Sequence, residues 1–268
     1  MATAPVDSGA HMGRLDNKSI LVTGGARGIG RAIVEKCARE GGLVSFFDKD
    51  QAAGLEAARA PRTAAGAVTF FKVDVTREAD VQRAVHEVLD QRGQIDVLVN
   101  NAGVNSYFDA AVMTEAQWDQ VFAVDLKGAW LCAKHVLPGM RVRGAGSIVN
   151  IASIHATLTI AGMFPYAAAK SGLVGLTRSL ALDCAPFGIR VNAVSPGWTR
   201  TGLVEEWFAL QRDPQVAEAG VLKAHPMRRI ATPEEIANVV AFVASDEASA
   251  MTGASVSVDC GLGIQFAT

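Results

Sequence analysis

Seven short apolar runs recur along the 268 residues, with helix-length segments between most of them. They are SILVTG (19–24), GGLVSFFD (41–48), AVTFFKVDV (67–75), IDVLVNNAG (95–103), GSIVNIAS (146–153), GIRVNAVSPG (188–197) and ASVSVDCG (254–261). Runs of this length are strands buried on both faces, and the intervening segments are long enough for crossover helices. The expected fold class is α/β, a doubly wound parallel sheet of seven strands with helices on both faces. Ligands of such sheets bind beyond the carboxyl ends of the strands, so the residues just after each run carry the functional interest.

Local signals place the helices. One is expected from Ile29 to Glu40, an alanine-rich one after Asp48, and one opened by Thr76 that reaches Gln91. Thr114 and Gln117 form a capping-box pattern, and Thr232, Pro233 and Glu235 combine an N-cap, an N1 proline and an N3 glutamate. Residues 1–15 read as a loose tail and 16–268 as a single domain, in which about 198–231 is long enough for two short helices that close over the strand ends as a lid. With 50% hydrophobic residues the chain can fill a sizeable core, and a net charge of -2 gives no reason to expect nucleic acid or a membrane as partner. The absence of a long uncharged apolar segment and of a signal-peptide core leads to the expectation of a soluble, cytoplasmic protein. Cys37, Cys132, Cys184 and Cys260 form no paired motif and are expected as buried free thiols, and neither they nor the five histidines have metal-ligand spacing, so no metal is expected.

The first run leads into Thr23-Gly24-Gly25-Ala26-Arg27-Gly28-Ile29-Gly30. Glycines between a strand and a helix let the backbone approach a pyrophosphate and aim the helix N-terminus at it. No Gly-Lys-Ser/Thr follows, which excludes the phosphate loop of kinases and GTPases. Asp48 ends the second run, where a carboxylate accepts from both adenosine ribose hydroxyls and repels a 2'-phosphate; NAD is therefore the expected cofactor, with Arg27 and Lys49 as the residues that argue for NADP. Asp74, with Val75 beside it, is a candidate acceptor for the adenine amino group or a helix-start residue beside Thr76. The fourth run leads into Asn100-Asn101-Ala102-Gly103, where an asparagine is suited to tie neighbouring strands together while Ala102 and Gly103 leave room for the flat parts of a cofactor, and Asn101 is counted among the cofactor-binding residues.

Tyr166 and Lys170 stand four residues apart in PYAAAK, hence on one face of a helix beginning near Pro165. A free phenol ionises at about pH 10, and a neighbouring ammonium or a positive nicotinamide ring favours the phenolate. Tyr166 is thus the candidate general base, Lys170 its electrostatic partner and a contact for the nicotinamide ribose, and Ser153 the donor that holds the substrate oxygen.

The ordered set TGGARGIG, Asp48, NNAG, Ser153, YAAAK and NAVSPGWTRT, spanning 18–262, resembles the short-chain dehydrogenase/reductase family. The resemblance implies a Rossmann-type sheet, hydride transfer between a nicotinamide and a hydroxyl or carbonyl, and a homotetramer. It places Gly24, Arg27, Gly28, Ile29 and Gly30 around the pyrophosphate, and Pro196, Gly197, Thr199 and Thr201 beside the nicotinamide. Where the family has an asparagine whose backbone carbonyl holds a water linked to the lysine, this chain has Asp125; retained activity with an altered pH profile is expected. Phe122, Leu126, Trp130 and Leu131, on a helix from Asp119 to about Met140, and the uncharged C-terminal GLGIQFAT are candidate subunit contacts.

The segment 198–231 carries Trp198, Glu205, Glu206, Trp207 and His225, and His155 lies two residues past Ser153. Aromatic faces bordered by donors and acceptors suit a sugar ring, so the expected substrate is a small-molecule alcohol of the aldose or polyol class, with His155, Trp198, Glu206 and Trp207 as its contacts. The segment TGLVEEWFALQRDP also resembles the lids of family members that act on the anomeric hydroxyl of aldoses, and a similar stretch occurs in some that handle 17-hydroxysteroids. The alternatives are thus a 3-oxoacyl-carrier-protein reductase, a 17-hydroxysteroid dehydrogenase and, in another class, a non-catalytic dinucleotide-binding protein.

Overall fold

The computed structural model describes residues 13–59 and 67–264. Elements follow in the order β1 Ser19–Thr23, α1 Gly28–Arg39, β2 Leu43–Asp48, α2 Gln51–Arg59, β3 Val68–Lys72, α3 Glu78–Arg92, β4 Val97–Asn100 and α4 Glu115–Phe122. Then come α5 Gly128–Arg143, β5 Gly146–Ile151, α6 Tyr166–Cys184, β6 Ile189–Pro196, α7 Gly202–Ala209, α8 Pro214–Ala224, α9 Pro233–Ala244 and β7 Ser255–Val258. The strands form one sheet in the order β3-β2-β1-β4-β5-β6-β7, every pairing parallel.

Period-two alternation divides the apolar side chains between two cores. Ile20, Val22, Val44 and Phe46 face α1, α2 and α9, whereas Leu21, Phe47, Phe71 and Leu98 face α3, α5 and the end of α6. Because all strands run the same way, their carboxyl ends share one edge, and the sheet order reverses direction between β1 and β4. That crevice is where a ligand fits.

Several expectations shift. Residues 1–12, most of the expected tail, lie outside the described residues, but Leu15 is fully buried and its amide donates to Glu40 O, so the packed domain begins before residue 16. β3 ends at Lys72 because the chain turns away there, and α3 begins only at Glu78. Thr76 does not cap it: its amide and hydroxyl both donate to Asp74 Oδ1, at 3.0 and 2.7 Å. The helix expected from Asp119 to Met140 is interrupted by a π turn over Ala123–Lys127. Leu131 on it is buried in the core, leaving Trp130, 43% exposed, as the large apolar side chain that faces outward. Cys260 is only partly buried, unlike the other three cysteines. Of GLGIQFAT, residues 265–268 lie outside the described residues. Both capping boxes are present, on α4 and α9. Among the described residues no helix is long and apolar enough to cross a membrane.

Candidate active site

A cleft of about 780 Å³ runs along the strand ends. At one end lies the turn between β1 and α1. Gly24 and Gly28 have φ of 65° and 54°, the left-handed region that favours glycine. Gly30 is needed for a different reason: a Cβ there would stand 1.9 Å from Gly24 O. Asn101 fixes the same turn by donating from Nδ2 to Thr23 O and Gly24 O, both at 3.0 Å, and so joins the end of β4 to that of β1 as anticipated. The glycine turn, the open N-terminus of α1 and the small residues Ala102 and Gly103 form a cradle that a dinucleotide fits. Arg27, Ile29, Val75, Pro196, Gly197, Thr199 and Thr201 also line it.

Asp48 lines the cleft at the end of β2, its Oδ2 accepting from Ala26 N at 3.1 Å and its Oδ1 from Asp50 N at 3.0 Å. Arg27 reaches Asp50 at 2.7 Å. Asp74 also faces the cleft, with one carboxylate oxygen occupied by Thr76; of its two readings, the turn beside the helix start is the one its side chain makes in this structure.

At the other end Ser153, Tyr166 and Lys170 converge. Ser153 is buried, and its Oγ accepts from His155 N at 3.2 Å, which leaves the hydroxyl proton free to donate elsewhere. Tyr166 is the first residue of α6, and one turn on, Lys170 Nζ lies 5.6 Å from its ring centroid. The ammonium donates to Ile151 O at 3.2 Å and is buried, so α6 and β5 both hold it. A polar ladder also holds the helix: the strand-tying role expected of an asparagine in Asn100-Asn101 is filled by Asn100 as well, and the continuation to α6 is what sequence reasoning missed. Asn100 Nδ2 donates to Asn150 Oδ1 at 2.9 Å, and Asn150 Nδ2 donates to Thr177 Oγ1 on α6 at 2.9 Å. Its one available signal is an asparagine at the same height in two adjacent strands.

Asp125 lies behind Lys170, in the π turn. Such turns interrupt a helix's regular bonding and are frequent at functional sites. Its Oδ1 accepts from Val104 N at 2.7 Å, and its buried Oδ2 sits 3.9 Å from Lys170 Nζ, an ion pair across a gap and too long for a hydrogen bond. Burial pushes its carboxyl up, with Lys170 and the Val104 amide opposing. A carboxyl whose folded pKa exceeds the unfolded value contributes stability below about pH 4 that is lost as pH rises through the folded pKa. Asparagine has no such loss. The Tm of Asp125→Asn relative to the unaltered protein should therefore rise with pH above about 4; thermal unfolding across pH checks this, and a difference that shrinks with pH contradicts it.

The outer wall is formed by His155, Trp198, Glu206 and Trp207. His155 sits edge-on to Tyr166, ring centroids 5.9 Å apart, with Nδ1 3.1 Å from Thr159 Oγ1, and burial lowers its pKa, favouring the neutral ring. Trp198 meets Trp207 edge to face and stacks on Phe208. Glu205 turns away to Arg200 at 2.7 Å, whereas Glu206 faces the cleft. His225, counted from sequence among the polar groups of this segment, is fully buried and donates from Nδ1 to Val221 O at 2.7 Å, because it ends α8 against the domain body. Asn105 and Tyr107, in the loop after β4, were not anticipated; Asn105 Nδ2 donates to Tyr107 OH at 3.2 Å and both line the cleft. Burial raises the Tyr107 pKa. Among the described residues no three His, Cys, Asp or Glu side chains gather to hold a metal ion.

A Rossmann-type sheet with a glycine-rich turn at its switch point and a Ser, Tyr and Lys set across the cleft defines a class, the nicotinamide dinucleotide oxidoreductases. The family model described as Enoyl-(Acyl carrier protein) reductase matches residues 24–263. The chain is 39% identical to 2-(S)-hydroxypropyl-CoM dehydrogenase 3 of Xanthobacter autotrophicus, over 93% of this chain and 98% of that one. It is 37% identical to a 3-oxoacyl-acyl-carrier-protein reductase of Thermotoga maritima, over 93% and 99%. Its fold superimposes on ligand-free aldohexose dehydrogenase of Thermoplasma acidophilum with a TM-score of 0.87 and 35% identity, over 95% and 97% of the two chains. The chain belongs to the short-chain dehydrogenase/reductase family.

Proposed function

We propose that this protein oxidises a secondary or anomeric hydroxyl of an aldose or related polyol, with NAD as acceptor. The observation that carries the reading is one cleft with a carboxylate, Asp48, at the ribose end of β2 and Ser153, Tyr166 and Lys170 at the other end. Ser153 donates its free hydroxyl proton to the substrate oxygen, and Tyr166 takes the substrate's hydroxyl proton. Lys170, anchored on Ile151 O, holds positive charge beside the phenol as that proton arrives. The dinucleotide, when bound, supplies the hydride acceptor. An aldose oxidised at its anomeric carbon leaves as the lactone.

The similarity to an aldohexose dehydrogenase and the make-up of the outer wall support the substrate class. Trp198 and Trp207 offer faces for a sugar's C–H surfaces, while Glu206 accepts from hydroxyls and His155 can donate or accept. The segment 198–231 acts as a lid: α7 and α8 are pinned to each other by Arg200, which pairs with Glu205 and Glu218 at 2.7 and 2.5 Å. Ile160 and Leu203, 60% and 53% exposed at the same cleft, favour a second reading in which an acyl chain is held there and its 3-oxo group reduced.

A screen at 340 nm of sugars, polyols, steroids and acetoacetyl thioesters with NAD or NADP separates these readings. Turnover of an aldose with NAD is expected, and preference for a thioester or steroid rejects the substrate class. Replacing His155 or Glu206 singly by alanine should lower kcat/KM for the polyhydroxylated substrate by about 10-fold or more, the scale of one transition-state hydrogen bond. Unchanged kinetics in both variants contradict the polar wall. The expected assembly is a homotetramer with Trp130 at a subunit contact, and sedimentation at the 28.1 kDa of one chain would refute it.

A further inference from the structure

Arg27, Asp48 and Asp50 make a closed set of contacts at the ribose end of the cleft. The Arg27 side chain, 75% exposed, leaves the glycine turn and donates from Nη2 to Asp50 Oδ2 at 2.7 Å. Asp50 in turn donates its amide to Asp48 Oδ1 at 3.0 Å, and Asp48 Oδ2 accepts from Ala26 N at 3.1 Å, next to Arg27. The other Asp50 oxygen accepts from Ala53 N at 3.1 Å in the first turn of α2. The three side chains and Lys49 all line the cleft.

A guanidinium presents a planar fork of donors that matches a phosphate, and of the two cations at this rim only Arg27 sits on the glycine turn. A phosphate on the adenosine 2' oxygen would compete with Asp50 for that fork and would also meet two carboxylates. We propose that Asp50 is a specificity-determining positioning residue: by engaging Arg27 it keeps that guanidinium from a 2'-phosphate, adding to the discrimination exerted by Asp48. The inference rests on the NAD reading and deepens it. It also explains how an arginine in the glycine turn is compatible with NAD, since its charge is already answered within the protein.

The test measures binding, independent of turnover. Calorimetric affinities of adenosine 5'-monophosphate and adenosine 2',5'-bisphosphate, which differ by the 2'-phosphate alone, are compared at low ionic strength for the unaltered protein, Asp50→Asn and Asp50→Asn/Arg27→Ala. Asparagine keeps the bond to Ala53 N and is a good helix cap, so the fold of the variant is preserved; Asp50→Ser, also a capping residue, serves as the second variant. The unaltered protein should bind the monophosphate more tightly. In Asp50→Asn and Asp50→Ser the bisphosphate should gain about tenfold, the scale of one charge-assisted hydrogen bond from the freed guanidinium to the phosphate, and the gain should shrink with added salt. The monophosphate should change by less than about twofold, as expected of a surface substitution. In the double variant the gain should disappear. No gain in either single variant, or a gain that survives loss of Arg27, overturns the role of Asp50 and leaves the NAD reading standing. Tighter bisphosphate binding by the unaltered protein overturns the NAD reading, and this inference with it.

Discussion

Replacing Tyr166 by phenylalanine is expected to lower kcat by about 10²–10⁴-fold, the range that a positioned general base contributes, while leaving Tm and nucleotide affinity nearly unchanged. The substitution removes one oxygen. In this structure that oxygen belongs to the first residue of α6, and no hydrogen bond within the protein is assigned to it among the described residues. Lys170 keeps its bond to Ile151 O, and the ladder from Asn100 through Asn150 to Thr177 still holds the helix. A fall in kcat with normal binding of the dinucleotide, followed by intrinsic fluorescence, supports proton transfer at this phenol. A variant that retains more than about a tenth of the activity removes Tyr166 from the base role, and a parallel loss of binding means that its part is structural.

The second large effect is expected from Gly30→Ala. Local propensity alone favours this change, since alanine exceeds glycine by about 1 kcal/mol within a helix, and Gly30 lies in the first turn of α1. The tertiary structure reverses the sign. The new Cβ would meet Gly24 O at 1.9 Å and Asn101 Nδ2 at 2.5 Å, so a backbone carbonyl and the side chain that secures the β1 turn would both have to move. The expected outcome is a Tm lower by about 5 °C or more, as for overpacking a filled core, together with nucleotide affinity reduced by at least about 10-fold. Gly175→Ala is the control. That residue sits within α6 with nothing within 4 Å of its added Cβ, so the same substitution should be neutral or stabilise by about 0.4–1 kcal/mol. Scanning calorimetry of both variants decides the matter, and equal Tm values would show that the close approach at Gly30 is not limiting.

Much of this architecture follows from spacing along the chain. The seven strands fall within the seven apolar runs, because an inner strand buried on both faces must be apolar nearly throughout; the edge strands depart from this, β7 exposing Ser255 and Ser257 and β3 being only partly buried. The capping boxes at Thr114 and Thr232 form as read, since every group in them lies within four residues. Tyr166 and Lys170 become neighbours for the same reason, the period of the helix. All of the residues anticipated around the dinucleotide line one cleft, because parallel strands must present their carboxyl ends together.

What spacing along the chain determined about this protein was therefore the parallel sheet, the helix starts governed by short-range caps, and the set of residues delivered to one edge. Tertiary structure decided which residues distant along the chain meet. His225 is drawn into the interior at the end of α8, and Leu15 joins the core with its amide bonded to Glu40 O. Arg27 finds Asp50 across 23 positions, Asp125 finds Val104 across 21, and Asn100 finds Asn150 across 50. Such partners are set by strand register and by the direction in which each side chain leaves its element, and neither is encoded in the residues immediately around it.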